Sequence, residues 1–126
     1  EFLDERIGEI VKGVTTSMRG KVEYRYTYGY PPLINDPDFT EVFARVARDI
    51  VGADHVNEIP EPTMGGEDMA YFLREVPGTF FFLAGSDPQK GQVHPHHHPK
   101  FDIDETLLWL GPALFTATAV RWLAEP

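Results

Sequence analysis

The chain has 126 residues, 42% hydrophobic and 25% charged, values close to those of globular domains and unlike those of disordered chains. Twenty acidic side chains against 11 basic ones give a net charge of -9, which argues against the basic face that nucleic acid requires and against binding to anionic membrane surfaces. With no cysteine, disulfides and thiolate metal sites are excluded, so any metal falls to His, Asp or Glu, a ligand set that suits zinc, manganese, cobalt or nickel.

No apolar run reaches the length of a membrane span. The first residues lack the basic-then-apolar pattern of a secretory leader, so the expected compartment is the cytoplasm. The sequence opens Glu1-Phe2-Leu3 without an initiator Met, and we expect it to be the interior of a longer protein.

In chain order, Phe2, Ile7, Ile10, Val11, Val14 and Met18 recur at helical spacing and predict a helix over 2–18 that stops near Gly20. From Lys21 to Tyr30 the pattern changes to period two, with Val22, Tyr24, Tyr26 and Tyr28 on one side, and predicts a half-buried strand. One helix and one strand cannot cover their own apolar faces, so this pair is expected to be a fragment of a small α+β layer. Gly29-Tyr30-Pro31-Pro32 interrupts the chain as a linker. Asp36 and Pro37 then have the chemistry of an N-cap and a first helical residue. Phe39, Val42, Phe43, Val46, Ala47, Ile50 and Val51 form the stripe of the helix that follows, closed by Gly52.

Val56–Ile59 is a short strand candidate before Pro60 and Pro62. A short helix is expected over 67–73, after Met64-Gly65-Gly66. Thr79–Ala84 is continuously apolar, the mark of a strand buried on both faces. Gly85–Lys100 is a long polar loop, and loops of that length tend to be functional or mobile. Asp102 with Glu105 has capping-box spacing for a last, well-buried helix, in which Pro112 is expected to cause a kink or a restart after Gly111.

Three constellations could carry chemistry. The first is His94-Pro95-His96-His97-His98-Pro99, which holds four of the five histidines. Imidazole is the commonest metal-binding side chain, but adjacent residues such as His97 and His98 point in different directions and cannot easily share one ion. Pro95 and Pro99 stiffen the loop, which helps it aim a single ligand. Read from composition alone, a solvated His-rich loop is an equal alternative. The second is Gly65-Gly66-Glu67-Asp68, where glycines allow close backbone approach at a helix start, and where the carboxylates compete for the same positive end. An ordinary helix start is the plainer reading. The third is Asp102, Asp104 and Glu105, which we assign to capping rather than to catalysis. Tyr24, Tyr26, Tyr28 and Tyr30 are read as packing and His55 as a surface residue. No nucleophile elbow, phosphate loop or His-Glu-x-x-His helix is present.

The order of these motifs is more specific than any one of them. Met64-Gly-Gly-Glu-Asp-Met-Ala-Tyr-Phe-Leu, Val76-Pro-Gly-Thr-Phe-Phe-Phe-Leu-Ala-Gly and His97-His98-Pro99-Lys-Phe-Asp-Ile-Asp-Glu resemble the C-terminal portion of an M20-type metallopeptidase. The likeness is strongest to the amidohydrolase branch of hippurate hydrolases, N-acyl-amino-acid deacylases and auxin-conjugate hydrolases. Tyr30-Pro-Pro-Leu-Ile-Asn-Asp-Pro resembles the point where that family's chain leaves its lid.

The resemblance implies an α/β fold class. Residues 31–126 would be the C-terminal part of a zinc-peptidase-like three-layer α/β/α catalytic domain. Residues 1–30 would be the last helix and strand of an α+β lid, or dimerisation, domain. It implies His97 as a metal ligand and Gly65, Gly66 and Glu67 as a substrate-binding wall. No catalytic base lies in this chain. The implied cofactor is a divalent metal, two ions per complete site, zinc or manganese before cobalt or nickel. The implied reaction is hydrolysis of N-acyl amino acids or peptide-like amides by a homodimeric full-length enzyme, the isolated chain being inactive. Two other readings of the residues stand beside it: a non-catalytic interaction module, and a metal-binding domain built on the histidine loop.

Overall fold

In the computed structural model, which describes residues 2–124, the regular structure is helical: α1 (Phe2–Ser17), α2 (Pro37–Val51), α3 (Met69–Glu75) and α4 (Leu110–Ala124), with three single 3-10 turns. The chain divides into two compact units, residues 1–30 and 31–126.

In the first unit the segment after α1 folds back along the helix through its tyrosines. The Tyr24 ring lies so close to Gly8 that a Cβ there would sit 3.0 Å from Tyr24 Cε1. The Tyr24 hydroxyl donates to the Asp4 carbonyl at 3.0 Å, and Tyr28 donates to the Asp4 carboxylate at 2.9 Å. That carboxylate raises the Tyr28 hydroxyl above its usual pKa by hydrogen bond and charge. The helix ends on Arg19, at φ 56, with Gly20 N–H donating to the Thr15 carbonyl and Arg19 N–H to that of Thr16. That is the two-bond Schellman closure, with arginine in the left-handed place that glycine usually takes. Phe2, Ile7, Ile10, Val14 and Met18 remain exposed along α1.

In the second unit, Asp36 caps α2 by accepting from Phe39 N–H at 2.8 Å, with Pro37 at the first position. The core lies where α2 meets α4. Ala47, Leu110 and Leu114 are buried there, ringed by Phe43, Ile50, Val51, Val56 and Phe81. Phe81 stacks on Phe43 with ring centres 4.4 Å apart, and Phe39 meets Trp122 at 4.7 Å. Pro112 falls in the first turn of α4, where its missing N–H has no intrahelical partner to lose, so it fits without a kink.

The expected α/β fold class is overturned: among the described residues there is no strand, so neither a three-layer α/β/α domain nor an α+β helix-and-strand pair is present. Lys21–Tyr30, Val56–Ile59 and Thr79–Ala84 lack helix, but among the described residues none is joined to a second segment by a backbone ladder. A side chain supplies one residue's worth of ladder instead. The Asn35 amide accepts from Phe80 N–H at 2.7 Å and donates to the Phe80 carbonyl at 2.9 Å, while Asp36 N–H bonds to Gly78 O.

A second expectation is corrected as well. Glu105–Ala124 is 20 residues long and apolar enough, by length and composition, to cross a membrane. A core helix passes the same test; here 17% of the window is buried, with Leu110 and Leu114 beside Ala47.

Leu108, Trp109, Phe115, Val120 and Leu123 are all more than half exposed. Leu114→Ala should lower the unfolding free energy of the second unit by about 3 kcal/mol in urea titrations, the usual cost of emptying a buried leucine site. Phe115→Ala, one residue along but 67% exposed, should cost less than about 1 kcal/mol.

Candidate metal-ligand loop

The long loop is built from its foot upward. Asp87 accepts from Gln89 N–H at 2.9 Å and caps the 3-10 turn Pro88–Lys90, which Gly91 closes at φ 79. Gln92 then uses both ends of its amide: Oε1 accepts from Asp87 N–H and Nε2 donates to the Ile103 carbonyl, each at 2.9 Å. Asp104 N–H donates to Gly85 O at 2.6 Å. The Asp104 carboxylate accepts from Lys90 Nζ at 2.6 Å and from Thr106 Oγ1 at 2.7 Å, and it caps the 3-10 turn Glu105–Leu107. Among the described residues Asp102, the expected cap, accepts only from the neighbouring Ile103 N–H.

Above this foot the chain makes two consecutive turns. His98 N–H donates to Pro95 O at 3.2 Å, and His97, at φ 67, occupies the third position of that turn. A positive φ there is what a type II turn requires, and glycine or asparagine usually provides it. Phe101 N–H donates to His98 O at 2.9 Å across the second turn, with Pro99 in its second position.

The four imidazoles are thereby sorted. His94 and His98 stack in parallel with centres 4.1 Å apart, and His96 meets Phe101 edge-on at 4.7 Å. Nδ1 of His98 accepts from Lys100 N–H, which assigns its ring proton to Nε2 and leaves it no lone pair for a metal. His97 is exposed, and among the described residues neither of its ring nitrogens is hydrogen-bonded. His55 is exposed, as expected.

No group of three or more His, Asp or Glu able to hold a metal exists among the described residues. The donor chemistry therefore fits one imidazole contributed to a site and does not fit a complete site. The Gly65-Gly66-Glu67 segment stands apart: no hydrogen bond or ion pair among the described residues joins it to the histidine turn. Both glycines are exposed without positive φ, and a Cβ on Gly65 would meet nothing within 4 Å. The Glu67 carboxylate accepts from Met69 N–H at 3.2 Å and so serves the start of α3.

Sequence reasoning located the loop but missed Lys90 and Gln92. The local signals were an Asp-Pro start and a Gly closure at residues 87–91; the bonds to Ile103 and Asp104 have none. The Lys90 ammonium, then the Thr106 donors, hold the Asp104 carboxyl down at about 2, and that carboxylate in turn raises Lys90.

The model of peptidase family M20/M25/M40 matches residues 3–119. YhaA of Bacillus subtilis, which carries an amidohydrolase name, is 37% identical over 122 residues, covering 97% of this chain and 31% of its own length. Thermostable carboxypeptidase 1 of Saccharolobus solfataricus is 34% identical, over 74% of this chain and 23% of its own. The Arabidopsis thaliana IAA-amino acid hydrolase ILR1-like 4 is 31% identical, over 76% and 22%. The chain thus spans less than a third of the length of each of these relatives.

The lowered pKa of Asp104 has a consequence with a definite sign. Its stabilising effect is fully present above its ordinary value of 3.8 and is lost as pH falls toward about 2. Carboxyl chemical shifts should place the Asp104 midpoint near 2 and the opening of the loop foot below pH 3.8, and Lys90→Met should move both upward. A midpoint at the ordinary value in the unsubstituted chain would contradict the Lys90 contact.

Proposed function

This chain belongs to peptidase family M20/M25/M40, and from that premise we propose that it is the C-terminal part of a metal-dependent amidohydrolase acting on N-acyl amino acids or related amides. The observation that carries the proposal is His97: an exposed imidazole, on a backbone held at φ 67, in a loop inside the matched span. Relatives named amidohydrolase and IAA-amino acid hydrolase support the substrate class. In the complete enzyme the divalent metals, two per site and zinc or manganese by ligand chemistry, would supply Lewis-acid activation of water and of the scissile carbonyl.

What this chain contributes is the placement of one ligand and part of a wall. His97 donates a ring nitrogen. Gly65, Gly66 and Glu67 present backbone to substrate, with Glu67 also holding the start of α3. The general base and the other ligands belong to the part of the protein outside these residues, and the chain alone is inactive. We assign the complete enzyme to the cytoplasm as a homodimer with contacts in residues 1–30, where α1 keeps an exposed apolar stripe.

The test uses the longer protein that contains this chain, with release of benzoate from a benzoyl amino acid in added manganese or zinc. His97→Ala should lower turnover by more than about 100-fold, beyond the range for groups that only orient a ligand. His94→Ala should change it little. Equal losses from the two substitutions would remove the assignment of His97.

A further inference from the structure

The functional reading uses His97 and leaves the polar network at the foot of its loop without a task. We propose that Lys90, Gln92 and Asp104 are positioning residues: a latch that fixes where His97 presents its imidazole. The inference rests on the reading of His97 as a metal ligand and adds what holds that ligand in place.

Three bonds cross the foot. Asp104 N–H to Gly85 O is backbone only, but the other two depend on side chains: Gln92 Nε2 to Ile103 O, and Lys90 Nζ to Asp104. They pin the histidine turns between Gln92 and Ile103, so the span that carries His97 is shorter than the whole loop. Two of the latch residues also have a second attachment. Gln92 Oε1 holds Asp87 N–H, which fixes the amide at both ends. Asp104 caps Glu105–Leu107, the turn that leads into α4, so the pull of Lys90 reaches the helix whose Leu110 and Leu114 are in the core. The Asp104 side chain is only 13% exposed, less than Glu9, Glu41, Asp49 and Asp87 in the other ion pairs among the described residues.

The need for such a latch follows from the backbone of His97. A non-glycine residue at positive φ persists only where its surroundings over-determine it. The turn bonds at Pro95–His98 and His98–Phe101 are single contacts in an exposed peptide, and bonds of that kind open easily. A ligand must be held to within a fraction of an ångström to keep its affinity, which is the task of the groups behind it.

The experiment has two arms. In the longer protein, zinc affinity is measured by chelator competition for the unsubstituted form, Lys90→Met, Gln92→Leu, Lys90→Arg and His97→Ala, with a thermal midpoint for each. Lys90→Met and Gln92→Leu should weaken zinc binding about 10- to 100-fold without a matching fall in the midpoint, and Lys90→Arg should restore it. Affinity that is unchanged, or that falls only in step with stability, overturns the latch. Loss of affinity in His97→Ala with none in Lys90→Met removes the latch and leaves the ligand reading standing. No loss in His97→Ala overturns both. In the 126-residue chain, exchange of the His98 amide should quicken in Lys90→Met, and unchanged exchange overturns the latch whatever the metal does.

Discussion

The packing of α2 on α4 through Ala47, Leu110 and Leu114 is the constraint on which the second unit depends. Alanine at 47 presents little bulk, so the leucines of α4 can be buried beside it. Phe81 joins the same cluster through Phe43. The histidine loop is therefore strung between two points the core already holds, Phe81 before it and Leu110 after it. The N-terminus of α2 adds a third fixed point, because Asn35 and Asp36 bind the backbone at Gly78 and Phe80. A loop with anchored ends can present a side chain reproducibly even when its own residues are exposed.

That arrangement accounts for an unusual combination. The loop is polar and exposed, yet its backbone carries a left-handed histidine and a closed hydrogen-bond pattern. Among the described residues no group of three or more His, Asp or Glu is placed to hold an ion, and a single imidazole cannot hold one well by itself. Family membership and the match to less than a third of each relative's length agree with an imidazole offered to a larger site. The exposed side chains of Leu108, Trp109, Phe115 and Leu123 add to this picture, since surface of that size and character is costly in water.

Helical periodicity was easy to read. The stripe from Phe2 to Met18 and the Asp36-Pro37 start correspond to α1 and α2 within a residue or two, because a helix satisfies its backbone within its own segment. Extended segments are different. The alternation of Val22, Tyr24, Tyr26 and Tyr28 shows that one side packs, and Tyr24 does pack on Gly8, but alternation does not say whether another backbone lies alongside. The expected strands failed on that point. The family resemblance reinforced the error by supplying neighbours these residues do not contain. Before the last helix, Asp102 and Glu105 had capping-box spacing, while the cap observed is Asp104, two residues later, which accepts from Thr106 N–H at the 3-10 turn Glu105–Leu107. Motif order singled out the histidine loop. The contact at its foot was not legible, since Lys90 and Asp104 lie 14 residues apart and meet only once the loop has closed.

The central claim is that this chain carries one well-placed ligand of a site it does not complete. Calorimetric titration of the 126-residue chain with zinc tests it most directly. The account predicts weak binding, with no saturation at micromolar metal and with the loss of what little there is on His97→Ala. Tight, saturable uptake of one or more ions by the isolated chain would contradict it and would make the histidine loop a metal-binding site in its own right.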